Sequence, residues 1–176
     1  MPGPVFLQGD RVELRTMEDE DVDFLQTLVS DSRVRNRIMM AEPVNRQQER
    51  EWIESQSEDD GYHFLVCVDG EPVGSVGIGE TTDVWRTANL GYSIAPDHWG
   101  NGYATDAVGL ACRYAFDERA LEKVHATVYE TNPASVRVLE KNGFQREGVL
   151  RKEAFVDGER IDVYRFGLLA DEWRSR

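Results

Sequence analysis

The chain has 176 residues, and 33 Asp and Glu against 20 Lys and Arg set a formal net charge of −13. Folding at this length buries about 70% of the unfolded surface, enough for one core, and a hydrophobic share of 40% argues against wholesale disorder. The acidity, with no dense Lys/Arg run to reverse it, argues against nucleic acid, and the lack of any stretch near ~20 apolar residues or of a basic, apolar leader argues against a membrane partner and for a cytoplasmic protein.

Residues 11–15 alternate polar and apolar like a half-buried strand, and Thr16 with Asp19 has capping-box spacing before Val22, Leu25, Leu28 and Val29 at helical intervals. Residues 33–43 read as irregular. Asn45 with Gln48 repeats the capping signal ahead of a second helix expected to bury Trp52 and Ile53. From Tyr62 the period becomes two, and residues 62–68, the turn Asp69-Gly70 and residues 72–78 predict a hairpin, followed by a strand over 87–94. Residues 103–116 predict a helix with Ala107, Leu110, Ala111, Tyr114 and Ala115 on one face. A short β-branched strand over 124–129 precedes Asn132-Pro133, an N-cap followed by Pro at the first helical position, and Gly143 closes that helix. Residues 149–156, Asp157-Gly158 and residues 161–168 predict a last hairpin. No repeat or linker divides residues 1–176, so a single domain of mixed-sheet α/β or α+β class is expected, with one parallel strand pair late in the chain.

The stretch between residues 91 and 105 carries the most chemistry. A strand stops at Pro96, a loop with Gly100 and Gly102 follows, and a long helix begins. Amides left unpaired at that helix start, with no Cβ at the two glycines, can hold an anion such as a pyrophosphate without net positive charge. An ordinary turn has the same spacing. Thr105 stands where a dinucleotide fingerprint needs its third Gly, and no Gly-Lys-Ser/Thr of a P-loop follows. Asn132 and Ser135 have a full structural explanation as N-cap and third helical residue. Cys67 and Cys112 lie in apolar patterns without metal or redox spacing and read as buried thiols, and His63, His98 and His125 form no metal pattern.

Taken together, Gly91-Tyr92-Ser93-Ile94, Pro96-Asp97-His98-Trp99-Gly100-Asn101-Gly102-Tyr103-Ala104-Thr105 and the run from Asn132-Pro133-Ala134-Ser135 to Gly143-Phe144 resemble the GCN5-related N-acetyltransferases (GNAT), and more narrowly their RimJ/RimL branch of ribosomal-protein N-terminal acetyltransferases. The resemblance covers nearly the whole chain. It implies a strongly twisted mixed sheet, helices on both faces, and a V-shaped split between central parallel strands that holds acetyl-CoA, with no metal. It implies cofactor contacts at Ile94, Trp99, Gly100, Asn101, Gly102, Tyr103, Ala104, Asn132 and Ser135. Asp97 stands where the family loop carries Arg or Gln. Ser135 becomes the candidate acid for the CoA thiolate, because Leu139 occupies the position of a tyrosine many members use.

The expected acceptor is a primary amine, foremost a protein N-terminal α-amine, with a small amine or a non-catalytic CoA-binding module as alternatives, and a homodimer is compatible with the resemblance. Glu80, Glu130, Glu153 and Asp162 are eligible bases, with Glu153 favoured, while Arg33, Arg35 and Arg37 could meet an acidic substrate or simply form a solvated face. Seventeen Arg, three Lys and a crowd of carboxylates also suggest a high-salt source, which an ordinary acidic protein would share.

Overall fold

The computed structural model describes residues 2–56, 61–82 and 84–176. The acidic residues 58–60 and the side chain of Glu80 lie outside what it describes. The strands are β1 (Val5–Gln8), β2 (Glu13–Arg15), β3 (Tyr62–Val68), β4 (Glu71–Thr82), β5 (Thr87–Ile94), β6 (Lys123–Tyr129), β7 (Gln145–Val156) and β8 (Glu159–Leu169). They form one sheet in the order β1-β2-β3-β4-β5-β6-β8-β7. The helices are α1 (Val22–Ser30), α2 (Ser32–Arg35), α3 (Arg46–Ser55), α4 (Tyr103–Arg113), α5 (Pro133–Lys141) and α6 (Ala170–Arg174).

Both faces of the sheet are covered, which explains why β3 reads as a continuous apolar run. Phe64 and Val66 enter the large core with Ala107, Val108 and Ala111 of α4 and Leu139 of α5. Leu65 and Cys67 face the other way, against Leu25 of α1 and the partly buried Phe24 and Ile53.

One junction positions the site. Among the described residues the sole parallel neighbours, β5 and β6, pair from Thr87–Asn89 to Lys123–His125. Beyond that point β6 stays with β8 along its whole length, while β5 stays with β4. The two central strands therefore splay apart, forming the V-shaped split.

Four local expectations shift. The first helix is capped two residues later than Thr16 and Asp19, where Asp21 Oδ2 accepts the Glu18 amide at 2.8 Å; Thr16 instead donates its hydroxyl to Glu18. Trp52 remains 38% exposed and packs edge-on against His63 with centroids 5.3 Å apart. The helix after Gly102 is α-helical only to Arg113 and finishes in a π-helical turn, Tyr114–Glu118. Residues 33–35 of the segment read as irregular belong to α2, capped by Asp31, whose side chain accepts from the Arg33 amide.

Candidate active site

Strand β5 builds one wall of the split. Ala95 donates its amide to the Val73 carbonyl at 2.8 Å, which makes the Gly74–Ile94 pair a non-hydrogen-bonded one. Ile94 and, two residues back, Tyr92 therefore turn their amide and carbonyl groups away from β4, towards the side that β6 has left. The Trp99 indole donates to the Ile94 carbonyl at 2.7 Å. The Ile94 amide remains directed at the split.

The loop after β5 builds the floor. Gly100 and Gly102 adopt φ of +81° and +79°, the left-handed region that glycine enters without Cβ strain. Asp106 makes the first helical bond of α4, to the Gly102 carbonyl at 3.1 Å, so the amides of Tyr103, Ala104 and Thr105 precede the ladder and face outward. Two contacts fasten the loop: Arg11 donates to the Asn101 carbonyl at 3.1 Å, and Asp106 Oδ2 accepts the Arg11 and Val12 amides at 2.7 and 3.0 Å.

The N-terminus of α5 forms the opposite wall. Asn132 Oδ1 accepts the Ser135 amide at 3.3 Å, with Pro133 at the first helical position. This cap aims the Ser135 side chain across the split, where its Oγ lies 2.6 Å from the Tyr92 hydroxyl. Tyr92 also donates to the Ser135 carbonyl at 3.2 Å. Burial pushes the Tyr92 hydroxyl up to about 12, with the Ser135 hydrogen bond pulling the other way; it remains a neutral donor across the ordinary pH range. Leu139, one turn further on, is fully buried in the core. The hydroxyl beside Ser135 thus comes from β5. Sequence reasoning missed Tyr92 because its alternation with Leu90 and Ile94 is the pattern of a core strand; its place inside the quoted strand block was the available signal.

A cleft of about 290 Å³ gathers these parts. Ile94, Trp99, Gly100, Gly102, Tyr103, Ala104, Asn132 and Ser135 all line it. Asn101 instead borders an adjoining groove of about 1000 Å³ and folds its side-chain amide back onto the His98 carbonyl at 3.0 Å. That groove carries Arg11, Arg113, Lys141 and Arg176 against Asp10 and Asp106, an excess of basic groups on an acidic molecule. Lys141 borders both spaces.

Of the candidate carboxylates, the structure places Glu130, Glu153 and Asp162 elsewhere. Glu153 is exposed on β7 and shares a shallow groove with Lys152 and Asp162, lining neither the cleft nor its neighbour. Glu130 accepts the Asp162 amide at 2.8 Å, and Asp162 accepts the Lys152 amide at 2.9 Å. Among the arginines, Arg33 forms a two-point contact with Asp31, whereas Arg37 stacks over Trp99 at 4.4 Å and reaches the cleft. Cys67 and Cys112 are buried and free; burial raises their thiols to about 11 and about 12. No group of three or more His, Cys, Asp and Glu among the described residues could hold a metal. No helix among them is long and apolar enough to cross a membrane.

Residues 11–145 match the acetyltransferase (GNAT) domain. A prophage-derived uncharacterized N-acetyltransferase of Bacillus subtilis is 34% identical over 94% of this chain and 93% of its own. The spermidine N(1)-acetyltransferase of Escherichia coli is 31% identical over 92% of this chain and 88% of its own. The crystal structure of spermidine N-acetyltransferase from Vibrio cholerae in complex with CoA and spermine superposes with a TM-score of 0.86 at 27% identity, covering 93% of this chain and 98% of that one. A RimL ribosomal L7/L12 α-N-protein acetyltransferase superposes with a TM-score of 0.85 over 96% of this chain and 99% of its own, at 16% identity, a likeness of fold alone. With its sheet split, glycine loop and capped helix matching a domain that spans three-quarters of its length, the chain belongs to the GNAT family of acetyltransferases and is an N-acetyltransferase that uses acetyl-CoA.

Proposed function

We propose that this enzyme acetylates a small-molecule amine, with the thioester held in the split between β5 and β6. The supporting relatives are the spermidine N-acetyltransferases, at 31% identity. A ribosomal-protein acceptor, the first expectation from the sequence, has only a likeness of fold behind it.

The observation that carries the mechanism is the Tyr92–Ser135 hydroxyl pair facing the free Ile94 amide. The amides around Gly100, Gly102, Tyr103 and Ala104 hold the pyrophosphate, and the basic groove beyond them receives the remaining phosphate of CoA. The pantetheine arm lies along β5 and Asn132. The Ile94 amide polarises the thioester carbonyl and stabilises the oxyanion of the tetrahedral intermediate. The neutral amine attacks, a C–N bond forms and the C–S bond breaks. The departing CoA thiolate takes a proton from the Ser135 hydroxyl, Tyr92 passes its own proton to Ser135, and solvent reprotonates the Tyr92 phenolate. The proton lost by the amine passes to solvent, because Glu153 stands outside the cleft. Attack is direct: both cysteine thiols are buried and protonated, which leaves no acyl-enzyme nucleophile there.

Mass spectrometry of products from acetyl-CoA with a panel of small amines and N-terminal peptides tests the reading. Acetylated small amines with CoA release are expected. Acetylation of peptides alone would overturn the small-molecule acceptor, and CoA binding without any product would mark a non-catalytic module.

A further inference from the structure

The backbone of β5 turns the amide and carbonyl of Tyr92 and those of Ile94 towards the split. An extended cofactor arm that carries amides of its own can pair with such an edge in more than one register, as a strand can. One step along the edge spans two residues, about 7 Å. That is far enough to carry a thioester away from the Tyr92 and Ser135 hydroxyls, which lie 2.6 Å apart.

The Ile94 carbonyl already has a partner, because the Trp99 indole donates to it at 2.7 Å. Two further parts of the chain hold that indole in place. The 3-10 turn Pro96–His98 reverses the chain beyond β5, with the His98 and Trp99 amides donating to the Ala95 and Pro96 carbonyls at 2.9 and 3.2 Å. From the other side the Arg37 guanidinium lies 4.4 Å from the ring centroid, in a segment tied down by the Tyr129 hydroxyl, which donates to the Ile38 carbonyl at 3.3 Å. Trp99 is 39% exposed and belongs to none of the hydrophobic clusters among the described residues. A hydrogen bond and a cation hold the ring, rather than core packing. Because the ring lines the cleft, it stands on the side from which an arm would reach the Ile94 carbonyl.

We propose that Trp99 is a positioning residue that stops the cofactor in one register. Its indole closes the Ile94 carbonyl to the amides of the pantetheine arm, which leaves the Tyr92 carbonyl as their acceptor and the Ile94 amide for the thioester carbonyl. The sulfur is thereby set beside Ser135. This rests on the reading of the split as the thioester site and adds what fixes the cofactor along it.

The test removes the indole N–H and reads the thioester itself. Infrared difference spectra are recorded for acetyl-CoA, isotope-labelled at the acetyl carbonyl, bound to the wild type, to Trp99→Phe, and to a protein carrying benzothienylalanine at position 99. The last exchanges the N–H for sulfur and keeps the shape of the ring, so it decides the matter where Trp99→Phe does not fold. A hydrogen bond from the Ile94 amide weakens the C=O bond, so the wild type gives a single band no higher in frequency than acetyl-CoA in buffer. Both variants give a second band at higher frequency, from thioester out of reach of that amide, while calorimetry finds CoA affinity within about threefold of the wild type. A single band at the wild-type position in the sulfur-substituted protein overturns the stop and leaves the thioester on Ile94. A loss of CoA affinity there beyond about tenfold does the same, making the indole an ordinary cofactor contact. A wild-type band above the buffer frequency overturns the seat of the thioester on Ile94, and the stop with it.

Discussion

Ser135 serves two purposes at once: its amide completes the cap of α5, and its hydroxyl sits 2.6 Å from that of Tyr92. Substitution separates them. Ser135→Ala keeps the amide and removes the hydroxyl, so kcat should fall by roughly 10²-fold with KM for acetyl-CoA little changed; a variant altered only in melting temperature would reduce the residue to a cap. Tyr92→Phe should lower kcat by roughly tenfold, and steady-state kinetics that show no loss would remove Tyr92 from the relay.

The pH profile tests the same pair. Tyr92 is neutral below its pKa, which burial raises from about 10 to about 12, so it should produce no falling limb below about pH 11. An alkylamine near pKa 10.4 must lose a proton before it attacks, so kcat/KM for the amine should rise by about tenfold per unit from pH 7 to 9. A falling limb near pH 10 would show Tyr92 titrating as an ordinary exposed phenol. Ser135 was legible because cap and family block coincide there, whereas Tyr92 was hidden because period-two alternation looks the same for a core residue and for one on the rim of a split.

The loop before α4 works through backbone conformation. A Cβ at Gly102 would point at Arg11, 3.6 Å away, an ordinary contact, so crowding of the ligand is not the penalty. The penalty is φ of +79°, which a β-branched residue resists. Gly102→Val should weaken acetyl-CoA at least tenfold, about 1.4 kcal/mol, as read by calorimetry; unchanged affinity would mean the loop does not hold the cofactor. The sequence marked this loop, the hairpins and the Asn132 cap because turn and cap chemistry is local. It missed β1, where Pro2, Gly3 and Pro4 obscure a four-residue strand visible only through its pairing with β2. The expected burial of Trp52 failed for a related reason: helical spacing shows that a residue faces the sheet side, not that an open cavity lies there.

Across the molecule, the net charge of −13 remains to be weighed against the ion pairs that the fold creates. Arg46–Asp23 and Arg50–Asp19 are close but well exposed, and such pairs contribute little and weaken in salt. Long-range repulsion among the excess carboxylates, felt over about 30 Å at 0.01 M salt and about 3 Å at 1 M, is the larger effect. The melting temperature should therefore rise between about 0.01 M and about 2 M KCl. A flat or falling curve from differential scanning calorimetry would make the acidic surface ordinary composition and end the high-salt reading.

The central claim is that the splayed pair β5 and β6 holds the reacting thioester between Ile94 and Ser135. A crystal structure of the enzyme with CoA measures this most directly. The account predicts the pyrophosphate on the amides between Gly100 and Ala104, the pantetheine hydrogen-bonded to the Ile94 amide, and the sulfur beside the Ser135 hydroxyl. A CoA sulfur lying away from Ser135, or a pantetheine arm outside the split, would contradict it.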